Sequence, residues 1–191
     1  MANVDRPNGL KLVGHISGSP FNAQIKMCSF AAGDGTATFV GDAVKLAGDA
    51  DTFGRPTVAQ ASDTGAIYGV VLDFEYDPTD LGKVHRAAST ARLAYVCVDP
   101  NAIFEIQDDA SATMTSADIG SNADLVIGSG NTTTGNSAME LQSSSINTTA
   151  TLQLKILNLV NRDDNAFGNQ NRVHVKINNH QLAAHTGTAG V

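Results

Sequence analysis

The sequence predicts an all-β fold, a small barrel or sandwich, on three observations. Thr38–Leu46 (TFVGDAVKL), Ile67–Phe74 (IYGVVLDF) and Arg92–Val98 (RLAYVCV) are short runs rich in β-branched and aromatic residues, each bounded by turn chemistry. No segment carries a helical period through three turns. In Arg92–Val98, Leu93, Tyr95 and Cys97 project one way and Ala94, Val96 and Val98 the other, so no polar face remains after the first residue. Such a strand belongs inside the body and not at its edge.

The elements follow in order. Met1–Asn22 has no period and is broken at Pro7-Asn8-Gly9 and Gly18-Ser19-Pro20, yet it carries Leu10, Leu12, Val13, Ile16 and Phe21. A solvated tail has no need of these, so the stretch reads as an extended arm that docks on its own domain or on a neighbouring subunit. Gln24–Phe30 is a strand with Ile25 and Met27 on one face and Lys26 on the other. Thr38–Leu46 alternates around Gly41-Asp42, a pair suited to a bend or bulge. Thr57–Ala61 is a short strand. In Ile67–Phe74, Tyr68, Val70, Leu72 and Phe74 share a face and Asp73 takes the other. Glu75–Thr90 is a long loop, and Ile103–Gln107 is a strand after the Asp99-Pro100-Asn101 turn.

From Asp108 the texture changes. Thr115–Asn122 predicts one helical turn, capped by Ser116 and stopped by Gly120. Leu125–Ile127 is a brief apolar run, and Gly128–Ala150 is a Ser/Thr/Asn-rich loop or hairpin whose only charge is Glu140. Thr151–Val160 is a strand whose apolar phase slips from Leu152, Leu154 and Ile156 to Leu157 and Leu159, the mark of a β-bulge. Arg172–Ile177 turns Val173, Val175 and Ile177 inward. The expected segments are therefore an arm (1–22), a barrel or sandwich body (23–107), a loop-rich added lobe (108–150), strands completing the body (151–177) and a C-terminal tail (178–191).

Composition narrows the function. Charged residues are 16% of the chain, against about 25% in ordinary domains. With a surface rich in Ser, Thr, Asn and Gly, this suits a protein covered by neighbours and equally a simple extracellular β protein. The net charge of −7 is uneven: residues 1–26 and 165–191 each carry +2, which leaves −11 in the middle. Such a body repels nucleic acid. Cys28 and Cys97 make no disulfide framework. Met1–Lys11 is polar, which predicts no leader, and no apolar run is long enough for a membrane span. Synthesis and folding are expected in the cytosol.

Several motifs approach a chemistry without reaching it. Gly130–Ser137 (GNTTTGNS) has Asn136 where a phosphate-binding loop needs lysine. Gly135–Met139 (GNSAM) resembles a nucleophile elbow at Ser137 but lacks its second glycine. Asp49 and Asp51, and Asp163 and Asp164 before Gly168, lack the ligand spacing of a calcium loop. His15, His85, His174, His180 and His185 form neither HxH nor HExxH. The expectation is a non-enzyme with no catalytic residues, no metal and no cofactor.

Arg6–Asn22 (RPNGLKLVGHISGSPFN), Gly41–Gly48 (GDAVKLAG), Gly69–Val71 (GVV), Thr115–Asn131 (TSADIGSNADLVIGSGN) and Asn171–Gln181 (NRVHVKINNHQ) together resemble the head decoration, or capsid cement, proteins of tailed bacteriophages. The resemblance implies a small β-barrel or β-tulip body, a homotrimer on the outer surface of the virion, and extended termini that clasp the major capsid protein. It implies reinforcement of the shell against internal DNA pressure, after synthesis in the bacterial host cytoplasm. It carries no catalytic residue. A length of 191 residues exceeds that of a minimal decoration protein, which is why 108–150 reads as an addition. The expected capsid contacts are Arg6, Pro7, Leu10, Lys11, Leu12, Val13, His15, Pro20 and Phe21. The competing reading is a β-sandwich binding module, carbohydrate-binding or adhesin-like. The absence of Trp and the presence of only three Tyr argue against a sugar-stacking platform.

Overall fold

In the computed structural model, residues 3–18, 24–183 and 187–190 are described. Pro20, Phe21 and His185 lie outside the described residues. The described chain is almost entirely β: β1 (Lys11–His15), β2 (Ile25–Phe30), β3 (Ala43–Ala50), β4 (Pro56–Gln60), β5 (Gly69–Phe74), β6 (Arg92–Cys97), β7 (Ala102–Gln107), β8 (Asn122–Ala123), β9 (Leu125–Val126), β10 (Glu140–Leu141), β11 (Leu154–Leu159) and β12 (Arg172–Ile177). Two single 3-10 turns, Ser116–Asp118 and Ser143–Ser145, are its only helical pieces among these residues. The first forms where one helical turn is expected, but its cap is Thr115, whose N–H and hydroxyl both donate to Asp118 Oδ2 at 2.6 and 3.0 Å.

Five strands close a barrel in the order β2-β4-β3-β5-β6. All its pairings are antiparallel except β2 with β4, which meet in parallel at Ser29 and Thr57. The barrel interior is filled by Cys28, Phe30, Val44, Val58, Tyr68, Val71, Phe74, Ala94, Val96 and Val98. β6 lies between β2 and β5, as its two apolar faces require: Ala94, Val96 and Val98 fill the barrel, and Cys97 faces outward into a second core. β2 keeps the expected division, with Ile25 and Met27 on one face and Lys26 on the other, and the barrel core lies on the Lys26 face. Cys28 and Phe30 point inward, on the same side of the strand as Lys26, while Ile25 is exposed. Lys26 is tolerated on that side because it stands near the strand's open end, where it is exposed. β5 differs from expectation: a register shift between Val71 and Asp73 lets Val71 and Phe74 both enter the barrel, while Val70 and Leu72 pack on the second core.

A second sheet, in the order β1-β7-β12-β11-β8, joins the barrel through that second core. Phe104, Ile106, Leu154, Ile156, Val173, Val175 and Ile177 of this sheet pack with Ala43, Ile67, Val70 and Cys97 of the barrel. β12 alternates as expected, and β11 carries the expected bulge, with its register slipping between Ile156 and Asn158. Among the described residues, no helix is long and apolar enough to cross a membrane.

Three expected segments prove to be built into this body. Ala102–Gln107, assigned to the first body segment, leaves the barrel for the second sheet. The stretch 108–150 is no separate lobe, for it contributes Met114, Ala123, Leu125, Met139 and Leu141 to the main core. The tail begins as packed structure: Ile67 N–H donates to the Asn179 carbonyl at 2.9 Å, Gln181 N–H donates to the Ile67 carbonyl at 2.8 Å, and His180 is fully buried.

The arm is extended, and residues 10–16 are laid on the chain's own sheet. β1 pairs antiparallel with β7, and Leu10, only 1% exposed, enters the main core. Its approach to the barrel depends on Gly9, whose φ is +68° and where a Cβ would stand 2.4 Å from Ser137 Cβ. Leu10→Ala is therefore expected to cost about 2–5 kcal/mol, the usual range for deleting a buried leucine. Val13→Ala, on the exposed side, should stay within about 0.5 kcal/mol. Urea unfolding of both variants checks this, and equal losses would show that the arm is not part of the core.

Candidate interaction surface

Among the described residues β1 is an edge strand, paired with β7 on one side and with no strand on the other, and an edge of this kind can take strand addition. Its side chains divide by height above the core. Leu10 is buried and Leu12 is half-buried against the main core, and neither is free for a partner. Lys11 is exposed; Val13 is 44% exposed at the register shift between Leu12 and Gly14, and Ile16, one residue beyond the strand, is 50% exposed. His15 is tied internally, with Nε2 3.1 Å from Asp99 Oδ2 and Nδ1 2.7 Å from Ser17 Oγ.

Upstream, the backbone is fastened while the side chains stay outside. Arg6 N–H donates to Gln107 Oε1 at 2.8 Å, and the Arg6 carbonyl accepts from Arg172 Nη2 at 2.6 Å. Pro7 is half-buried, and Val4 is exposed. Glu105 faces Lys11 in register but is engaged by Arg162 at 2.9 Å and Arg172 at 3.4 Å. Arg6 and Lys11 thus form no ion pair among the described residues. The result is a basic, apolar strip of Val4, Arg6, Lys11, Val13 and Ile16 along one edge of the molecule. Of the nine expected contact residues, Arg6, Lys11 and Val13 are presented outward, Leu10 is removed to the core, and Pro20 and Phe21 fall outside the described residues.

A second group of exposed apolar residues was not singled out by the sequence. Phe53, Tyr76 and Leu81 are 81%, 68% and 70% exposed on the loops at one end of the barrel. The loop 75–91 that carries two of them is pinned by arginines. Arg92 donates to the carbonyls of His85, Glu75 and Lys83 and lies over the Phe74 ring at 4.9 Å. Arg86, fully buried, donates to the carbonyls of Thr90, Thr36, Ala31 and Asp34 and pairs with the Asp34 carboxylate at 3.0 Å.

Ser137, the false elbow serine, is buried, and its hydroxyl accepts the Met139 N–H at 3.0 Å. Among the described residues, no group of three or more His, Cys, Asp or Glu side chains is placed to hold a metal ion. Comparison of the chain with protein-family models, with curated proteins and with solved structures finds no match to any of them.

One titration near the strip is strongly displaced. Burial, with the carboxylates of Asp5, Asp109 and Asp108 beside it, pushes Glu140 on β10 from 4.5 to about 7. An acid that keeps its proton when folded and loses it when unfolded subtracts stability as pH rises from about 4.5 to about 7, and nothing below. Glu140→Gln should therefore melt higher than the parent at about pH 8 and match it at about pH 4. Thermal melts at the two pH values check this, and a gain of equal size at both would refute the assignment.

Proposed function

We propose that the chain is a head decoration, or cement, protein of a tailed bacteriophage. In this reading it is made in the host cytoplasm, binds the outer surface of the capsid as a homotrimer, and stiffens the shell against the pressure of packaged DNA. Its partners are the major capsid protein and copies of itself. It has no catalytic role and engages neither nucleic acid nor membrane. The resemblance in five segments supports the family, and the all-β barrel body agrees with it.

The observation that carries the reading is the basic, apolar strip on β1. Among the described residues its outer edge pairs with no strand and its two cations form no ion pair, and about half of the surface of Val4, Val13 and Ile16 stays open to a partner. A surface of this kind fits a fixed acidic partner that also offers a strand edge or an apolar groove. Binding through it would be salt-sensitive, because exposed charges are screened within about 8 Å at physiological ionic strength. Three weak copies in one trimer add by linked binding, so a small strip per chain is enough to anchor the assembly.

The test uses point substitutions, because removing residues 1–21 would take Leu10 out of the core and unfold what is being measured. Lys11→Glu with Val13→Glu leaves the core untouched. The parent protein should sediment as a trimer of the 19.8 kDa chain and pellet with decoration-free capsids. The double variant should fold and bind shells at least about tenfold more weakly, each reversal costing on the order of 1 kcal/mol per copy. Equal binding by parent and variant would remove the strip from the interface. Failure of the parent to pellet with shells would overturn the capsid reading itself.

A further inference from the structure

The barrel end described above holds a cleft of about 660 Å³ between residues 49–52 on one side and 75–78 on the other. That is the volume range of sites that take a drug-sized ligand or a few residues of peptide. Its inner wall includes buried Phe30 and half-buried Leu93, and the exposed Tyr76 lies along its rim.

The charges around the cleft sort into engaged and free. Asp51 is held by Arg55 at 2.6 Å and Asp77 by Lys83 at 2.7 Å. The guanidinium of Arg92 is turned to backbone carbonyls. Asp49 and Glu75 also line the cleft, are exposed, and form no ion pair among the described residues. Arg92 keeps its positive charge there, but with four carboxylates (Asp49, Asp51, Glu75 and Asp77) against two cations (Lys83 and Arg92) the lining still carries a net −2 (2 − 4), above an apolar wall. An anionic ligand is repelled here, and a neutral apolar one leaves both carboxylates unanswered. A cation on an apolar stem satisfies both features, with the stem on the wall and the head at the rim, and an aromatic ring adds to its attraction.

We propose that this cleft docks a short segment of a partner protein in which a lysine or arginine adjoins an aliphatic or aromatic residue. The arginine-pinned loop means that one wall is held in place before the partner arrives, which lowers the ordering cost of binding. The proposal concerns a different face from the β1 strip and does not rest on the capsid reading.

The experiment titrates the full chain into a fluorescein-labelled peptide, Lys-Leu-Phe-Leu-Lys, followed by anisotropy, with Glu-Leu-Phe-Leu-Glu as the control. The basic peptide should bind with a Kd tighter than about 1 mM, more tightly at low salt, and the acidic one should not bind. Asp49→Asn with Glu75→Gln should weaken binding by about fivefold to tenfold. Tyr76→Ala should weaken it as well. All three side chains are exposed, and far-UV circular dichroism confirms that the variants fold. The proposal is overturned if the basic peptide fails to bind or if the double variant binds it unchanged. It is overturned equally if the acidic peptide binds as well, or if maltohexaose displaces the basic peptide, which would mark a sugar site. A change in the chain's own sedimentation on Asp49→Asn with Glu75→Gln would assign the cleft to a second copy and likewise overturn it.

Discussion

The two halves of the molecule meet at the backbone around Gly41 and Asp42, and the rest of the fold depends on that junction. Gly41 N–H donates to the Val71 carbonyl at 2.8 Å, and Val71 N–H returns a bond to Asp42 at 2.9 Å, which starts the barrel pairing of β3 with β5. The Gly41 carbonyl accepts the Leu10 N–H at 2.9 Å, which fixes the entry of the arm. One residue earlier, Val40 exchanges bonds with Gly135 and Ser137 at 2.9 and 2.8 Å, which ties in the 128–141 segment. The Asp42 side chain, fully buried, accepts the Phe39 N–H and the Gln60 amide, each at 2.9 Å. Burial raises the pKa of this carboxyl against the hydrogen bonds from Ser137, Phe39 and Gln60 that lower it. Gly41 has φ +94°, and a Cβ there would press within 3.0 Å of the Asn8 carbonyl in the arm and 3.3 Å of Ser137 Cβ in the 128–141 segment, so backbone angle and close approach both favour glycine at the junction.

Elsewhere the molecule uses polar side chains where a larger protein would use secondary structure. The long connection 75–91 forms no strand or helix, and a share of its carbonyls and of those in residues 31–36 is bonded by side-chain donors. Arg86 reaches the Thr90 carbonyl and those of residues 31, 34 and 36 from a fully buried position, and Arg92 reaches those of Glu75, Lys83 and His85; a buried carbonyl left unmet costs about 1–3 kcal/mol. The planar guanidinium also lies over Phe30 at 5.0 Å, so the same group caps the barrel interior. The amide of Asn178 acts similarly at the other end, donating to the carbonyls of Ala150 and Leu152 and accepting from Thr188. Asn, Gln and Arg make up for a core short of large aromatics by fixing loops one carbonyl at a time.

What could be read from the sequence follows from how local the signal was. β6 and β12 announce themselves because each is a regular alternation, and the bulge in β11 is visible as a change of phase within one strand. β1 is not legible as part of a sheet: it is five residues long, interrupted by a register shift, and paired with a strand more than ninety positions away. Met114, Met139 and Leu141 stand apart in polar surroundings and Leu125 heads a run of only three apolar residues, so no period reveals that they share one core. Apolar side chains in an irregular stretch need a cover. That logic holds for Leu10, whose cover is the chain's own barrel. Phe53, Tyr76 and Leu81 carry no such signal, because a large apolar side chain in a loop looks the same in sequence whether it is tucked in or held out.

The barrel is a hoop with one thin place. Four of its five joints are antiparallel ladders, but β2 and β4 are joined at a single paired position, Ser29 with Thr57, backed by a contact of 3.1 Å between their hydroxyls. Tension applied around the circumference concentrates at that joint, as it does at the one narrow link of a chain. Ser29 and Thr57 also line the barrel-end cleft. An occupant of the cleft therefore sits against the clasp of the hoop, and its binding energy adds to the work needed to open it.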